Sequence, residues 1–553
     1  MTKDKMDKAQ DFKLFNFRPV FFGAALLCLG ILFAYLHIVK GIALWWFFLL
    51  LPLFAIPFFF CKGGKAVRSL LGVILYLILC FWLGFHALRT QVNSFADCGK
   101  YAGEQIVYGV VEEKQERGEY TLLVLTEVKI DGQAEQGRLR AYVAANKCKD
   151  VERLHTVLLR GEIQTDTALV GENGFRANEI ERGERYIFWT EKDVAITGNG
   201  GNLFLQMNAG IEKTIRAGMH KNAAAVVTGI LLGNVDGMDT SLLQNVRAGG
   251  IAHVFAVSGL HVGVLYGFFA WLLKNTGLKN LPVWLRFLLL ALVLCFYAGV
   301  CGFTSSVLRA VLLCLCLYFT GITEIKIDSL EAVGFAALAL LIFNPVALFT
   351  VGFQLSFLAC LGIILFAKPI GQVCDEIVKW IISLFKKKEE IETQEEREER
   401  PLGIGEQFCR GVIQLFSASL AAQITTAPVL LSAFGYLSGW SLLLNFIFIP
   451  FVSAVFALLL ICVLLSALLP LSAAQVVLFA PNAVFSAALL LFEAFDFTGF
   501  ALTGIALSGA GCICYYLGCT FLTDKWNLSQ KTKGWLTAFC ALGTVIATIV
   551  ANL

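Results

Sequence analysis

Charge is scarce in this chain. Only 15% of its 553 residues are Asp, Glu, Lys or Arg, and there are six histidines. A soluble domain carries about a quarter charged residues. With 58% hydrophobic residues and a mean hydropathy of +0.73, the composition excludes a soluble enzyme, a disordered chain and a small disulfide-rich secreted protein. The net charge of +3 gives no sign of a nucleic-acid binder. No GxxxxGK[ST] loop occurs, so the chain shows no ATP motor. Nor is there an HxHxDH-like cluster for a binuclear zinc hydrolase. His253 and His261 are eight positions apart with no carboxylate or third histidine beside them, so neither a metal nor another cofactor is expected.

What remains is a polytopic α-helical membrane protein. Apolar runs of the ~20 residues needed to cross a bilayer recur throughout. The first three are 19–37, 43–60 and 69–88, forming a segment 1–92. The basic loop 62–68 (Lys62, Lys65, Arg68) sets the N-terminus in the cytoplasm and the segment after Leu88 outside. Ten further runs lie near 251–273, 284–301, 303–320, 329–343, 346–366, 412–434, 440–468, 475–495, 501–522 and 534–552, giving about thirteen spans. Parity then leaves the charged loop 367–411 inside and the C-terminus outside. Residues 201–250 read as interfacial or re-entrant helices, and 251–553 as the main helical membrane domain.

Residues 93–200 differ in kind. Alternating runs at 105–113, 119–131, 138–144, 156–163 and 185–190 read as strands of a small extracellular β-barrel, OB-fold-like, inserted after the third span. In the second run Tyr120, Leu122, Val124, Val128 and Ile130 are expected on one face. Of 17 cysteines only Cys98 and Cys148 fall here, and outside the cytoplasm they are expected to pair as a disulfide. The segment holds 14 Lys/Arg against 19 Asp/Glu, a poor funnel for a polyanion. A local basic patch of Arg138, Arg140, Lys147 and Lys149 surrounds Tyr142.

In GGIAHVFAVSGLHVGVLYGFF, from Gly249, the residues Gly259, Gly263 and Gly267 repeat at a helix-packing interval. On a continuous helix Ser258 and His261 fall opposite them. Three readings of this pair stand: mutual satisfaction, the lining of a hydrated lumen, or a Ser–His nucleophile lacking an orienting acid. Arg309 lies deep in an apolar run with Ser305 and Ser306 on its helix face. It either ties to carbonyls or meets a polyanion. Gln354, Ser356, Gln423 and Asn445 are further polar points in apolar context, near Pro428 and Pro450.

Four stretches carry a resemblance: GGIAHVFAVSGLHVG (249–263), YAGVCGFTSSVLRA (297–310), NPVALFTVGFQLSF (344–357) and AAQITTAPVLLSAFGYLSGWSLLLNFIFIP (421–450). They are similar, in order and spacing, to ComEC-type DNA internalisation competence proteins. The resemblance implies a non-enzymatic inner-membrane channel that passes single-stranded DNA into the cytoplasm. It implies Ser258, His261, His253, Arg309, Gln354, Ser356, Gln423 and Asn445 as candidates for the DNA path. It also implies a surface DNA receptor and a cytoplasmic helicase-like ATPase as partners, besides membrane lipid. Many members carry a C-terminal metallo-β-lactamase-like domain. This chain ends at Leu553, so a separate nuclease is expected. The alternatives from the residues are a transporter of a small amphiphile and an intramembrane hydrolase.

Overall fold

The computed structural model describes residues 18–42, 65–95, 101, 103–164, 170–171, 174–234, 237–254, 257–323, 327–385, 404–495, 497, 499–503, 507–522 and 529–552. Two helices, α1 (Pro19–Ile38) and α2 (Lys65–Phe95), precede a β domain. Its strands are β1 (Glu104–Arg117), β2 (Tyr120–Ile130), β3 (Gln133–Ala134), β4 (Arg138–Ala144), β5 (His155–Ile163), β6 (Val170–Gly171) and β7 (Gly174–Phe175). A short helix α3 (Ala177–Glu181), β8 (Glu184–Thr190) and β9 (Ala195–Asn199) complete it. Helices α4 (Leu203–Gly218), α5 (Lys221–Leu232), α6 (Thr240–Ala248), α7 (Gly259–Asn275), α8 (Val283–Val300), α9 (Ser305–Thr323) and α10 (Ser329–Phe343) follow. Then come α11 (Val351–Phe385), α12 (Ile404–Phe434), β10 (Tyr436–Ser438), α13 (Ser441–Leu468), α14 (Leu471–Glu493), β11 (Ala501–Thr503), α15 (Gly509–Leu522) and α16 (Gln530–Asn552).

The chain is a multi-pass membrane protein. Among the described residues, 8 helices are long and apolar enough to cross a bilayer. The expected run 43–60 lies outside the described residues. Three other expectations need correction. The 251–273 run becomes helical only at Gly259. The 501–522 run opens as strand β11, paired to β10, before α15 begins. Helix α11 continues to Phe385, well into the segment expected to be loop from 367.

Five strands of the β domain pair in a ring. β1 is antiparallel to β2, β2 to β4, β8 to β5 and β5 to β1, while β4 and β8 run parallel. All five lie where alternation predicted strands. The expected face of β2 is wrong in part. Leu123 and Leu125, not Leu122 and Val124, join Val128 and Ile130 in the barrel core. The cause is a bulge: Glu127 has φ +53° and, with Val128, faces the single Gly109 of β1, so the alternation flips.

Helices cross closely where glycine removes a side chain. Gly30 of α1 and Gly84 of α2 face each other's backbone: a methyl at Gly84 would lie 3.1 Å from the Leu27 carbonyl carbon. Elsewhere proline interrupts the hydrogen bonding of a continuous helix. Pro428 leaves the Ile424 carbonyl in α12 without its helical donor. Tyr515 of α15 donates its hydroxyl to that oxygen at 2.8 Å, and Tyr516 donates to the Thr425 oxygen at 2.9 Å. Tyr515→Phe strands a carbonyl in the bundle, so thermal unfolding of detergent-solubilised protein should show a loss of about 1–2 kcal/mol.

Candidate functional site

Between α6 and α7 the described residues 251–254 and 257–258 are non-helical and form a strap. Gly250 takes φ +73°, and a methyl there would lie 2.6 Å from the Ser441 Cβ and 2.9 Å from the Ser438 Cβ. At its other end a methyl on Gly259 would lie 3.4 Å from Nη2 of Arg309. The strap thus runs from the α12–α13 corner to α9. Non-helical backbone at membrane depth is stable only where protein or a water-filled cavity surrounds it.

Ser258 caps α7. Its backbone N–H donates to Nδ1 of His261 at 3.1 Å, and its hydroxyl lies 3.4 Å from the same nitrogen. That bond leaves the imidazole proton on Nε2 by inference from the acceptor role of Nδ1. The ring is fully buried and stacks on Phe456 with centroids 4.8 Å apart. Nε2 has no hydrogen-bond partner among the described residues. Ser258 is therefore a cap and not part of a helical face opposite the glycines. Since Nδ1 already accepts a backbone N–H, it is poorly placed to take a proton from the Ser258 hydroxyl. His253, in the strap, is exposed.

Arg309 is 7% exposed. Its Nη1 donates to the Ser356 carbonyl at 2.7 Å and reaches Cys360 Sγ, while the guanidinium lies 5.7 Å from the Phe357 ring centroid. Nε has no hydrogen-bond partner among the described residues. Ser305 and Ser306 do not serve Arg309. Ser305 donates to Glu181 of α3, and Ser306 pairs with the Ser356 hydroxyl at 3.5 Å. Gln423 donates to Ser441 at 2.8 Å, and Ser441 donates to the Ser438 carbonyl at 2.9 Å. Asn445 donates to Ser419 at 3.2 Å. Gln354 turns to the Leu348 carbonyl at 3.0 Å, apart from both groups. So the polar points form two clusters, Arg309 with Ser356 and Gln423 with Ser441 and Asn445, joined by the strap.

A family model described as competence protein matches residues 230–528, more than half of the chain. The chain belongs to the competence protein family. ComE operon protein 3 of Bacillus subtilis (strain 168) is 28% identical over 230 residues, which cover 42% of this chain and 25% of that protein. The match thus spans about a quarter of that relative's length. No solved structure matches. In this competence-family chain the strap, Arg309 and the Gln423 cluster all lie inside the matched residues, whereas α1, α2 and the β domain precede them.

Several site expectations change on the competence fold. Gly259 does meet α9, with Ala310 Cβ 3.6 Å from its would-be methyl, but a methyl at Gly263 or Gly267 would meet nothing within 4 Å among the described residues. The α7 glycines past the first turn therefore do not bring a described helix close. Three of the four basic-patch residues are spent on acids: Arg138 forks onto Glu112 with two bonds of 2.6 Å, Arg140 pairs with Glu184 and Glu179, and Lys147 with Asp193. Tyr142 stacks on Trp189 at 4.4 Å, a contact across β4 and β8 that alternation alone did not show. Cys148 is buried and carries a free thiol, which burial shifts upward. Its expected partner Cys98 lies outside the described residues.

Sequence reasoning also missed a buried network on α4. Glu212, 7% exposed, accepts from Arg216 at 2.7 Å and pairs with Arg153 of the β domain. Arg153 also donates to Asn208 at 3.1 Å. The available signal was Asn208, Glu212 and Arg216, spaced four apart on one face of the helix.

Burial raises the carboxyl pKa of Glu184, with Arg140 and Arg182 opposing it. A carboxylate whose folded pKa lies above its unfolded value binds more protons when folded. Its contribution is full below the unfolded value and falls as pH rises through the folded one. Melting of the wild type minus that of Glu184→Gln should therefore decline with rising pH above about 4.3. A pH-independent difference would contradict this.

Proposed function

We propose that this competence-family protein passes single-stranded DNA across the cytoplasmic membrane during DNA uptake. The observation that carries the reading is the strap, whose non-helical backbone joins two polar clusters within an apolar bundle. Arg309 beside the strap supplies a fixed cation, and the exposed His253 a polar wall. Ser258 and His261 shape the strap by capping α7. Membrane lipid surrounds the bundle. By the basic loops, the N-terminus is cytoplasmic, and the β domain and the C-terminus lie outside. The ring order β1-β2-β4-β8-β5, with its parallel β4–β8 pair, supports reading that domain as an OB-type barrel. In this reading a surface DNA receptor delivers the strand, a cytoplasmic helicase-like ATPase draws it in, and a separate nuclease removes its complement.

The test is uptake of labelled duplex DNA into a nuclease-protected pool in the competent host. It compares wild type, a deletion and Arg309→Ala at matched membrane expression. Loss of internalised DNA in the deletion, with surface binding intact, is the expected result. Loss in Arg309→Ala sets that residue beside the path. Normal uptake in the deletion would overturn the reading and leave small-amphiphile transport as its successor.

A further inference from the structure

Helix α5 has an unusual situation. Every residue from Ala223 to Leu232 is buried. Its 12 residues reach only ~18 Å, short of the ~30 Å hydrocarbon thickness. A helix of that length, buried on all faces, ends within the bundle and needs partners for its terminal groups. The Leu231 carbonyl accepts from the Tyr297 hydroxyl at 3.1 Å and from the Cys301 thiol at 3.4 Å, both near the end of α8. Gly233, at φ +80°, returns its N–H to the Gly229 oxygen at 3.1 Å. At the other end the His220 N–H donates to Asn482 of α14 at 2.9 Å.

Two contacts join this helix to features already described. A methyl on Gly233 would lie 3.5 Å from Cγ2 of Val257, so the end of α5 abuts the strap. One residue further, Asn234 donates to both oxygens of Glu212 at 3.3 Å. Glu212 is the carboxylate that holds Arg153 of the β domain. A single buried carboxylate therefore links the end of α5 to the barrel. Gly233 and Gly237, both at positive φ, flank the link, and only glycine adopts that backbone readily. The side chains of Ala223 to Val227 carry no charge, so this stretch contributes no ion of its own to the core.

We propose that α5 is an internal plug that closes the polar route at the strap, and that Glu212, Asn234 and Arg153 form the latch through which the β domain holds it shut. This rests on the channel reading. A ligand drawn against the β domain would pull Arg153, draw the paired Glu212 after it and so separate Glu212 from Asn234.

The test reconstitutes the full chain in liposomes and follows ion flux without DNA. Wild type should be tight. Asn234→Ala, which cuts the latch but leaves both arginines on Glu212, should raise flux at least tenfold in monodisperse, inserted protein. Flux no greater than wild type, or a wild type that already conducts as freely, overturns the plug. A second measurement keeps the native latch. Leu231→Cys is cross-linked to Cys301 in the competent host and the link is verified by peptide mapping. Uptake should stop and return on reduction. Uptake with the link intact overturns the plug. The two readings fail separately: normal uptake in the deletion strain rejects the channel, whereas unchanged flux and unblocked uptake, in a host whose deletion abolishes uptake, reject the plug alone.

Discussion

Gly84→Leu should leave almost no folded protein in the membrane, while Gly263→Leu should accumulate as wild type does. Both positions are helical glycines in apolar surroundings, and their sequence contexts look alike. Their neighbours differ. At Gly84 a methyl would lie 3.1 Å from the Leu27 carbonyl carbon and 3.2 Å from the Ile31 nitrogen. At the facing Gly30 it would lie 2.8 Å from the Phe81 carbonyl carbon and 3.1 Å from the Phe85 nitrogen. These are backbone atoms, so no rotamer change relieves the overlap, and the helices must part. Overpacking costs about 1–3 kcal/mol where side chains can give, and more here. Separation also opens the cluster that joins Leu27, Ile31, Phe85 and Leu88 to α10. A fluorescent fusion resolved by size-exclusion chromatography should show at least a tenfold drop in the monodisperse peak. Equal peaks for Gly84→Leu and Gly263→Leu would refute the assignment.

Arg153→Ala should undock the β domain. Arg153 donates to the Glu112 carbonyl at 2.8 Å within the barrel, then reaches Asn208 and Glu212 on α4. Removing it leaves Glu212 buried with Arg216 and Asn234. Breaking a buried pair costs about 3–5 kcal/mol, and the low end applies because the Arg153 side chain remains 20% exposed. About 3 kcal/mol is roughly a hundredfold in the ratio of undocked to docked barrel. Proteolysis at the 199–203 junction should accelerate by about that factor, with no change in barrel secondary structure. Unchanged cleavage would show that the contacts of α3 with Ser305 and Asn344 hold the barrel unaided.

The strands were legible because a half-buried strand writes its environment in alternate residues. All five ring strands lie where the period of two set them. One face of β2 was misread because Glu127 at φ +53° shifts the phase. That conformation belongs to the pairing with Gly109, which lies in another strand. The membrane helices were legible as apolar runs, but their bounds were not. Hydropathy reports apolar runs, and the non-helical strap ending at Ser258 is as apolar as the helix it precedes. The glycine interval in α7 suggested packing at three positions, of which Gly259 alone packs, while the tightest crossing belongs to Gly30 and Gly84, which form no such repeat. Spacing along one helix cannot tell which side a neighbour will occupy. Arg309 and Gln423 stood out singly as polar residues in apolar runs, but their assignment to two clusters depends on how α9, α11, α12 and α13 meet. The Glu212 network was hidden for the same reason, since its decisive partner Arg153 lies 59 positions earlier.

The parallel pairing of β4 and β8 obliges the chain to travel back along the barrel between them, a return that β5 makes, and α3 lies between the end of β5 and the start of β8. The barrel closes by Thr190, more than a hundred residues before Ser305, which donates to Glu181. Domains generally fold in order of synthesis, and all five ring strands precede α7 to α16 in the chain, so the barrel can close before those helices are made. The helices that follow can thus be assembled against a finished seat. A barrel that closes late would misdirect the assembly of α9 and α10 even if it later reached the same shape.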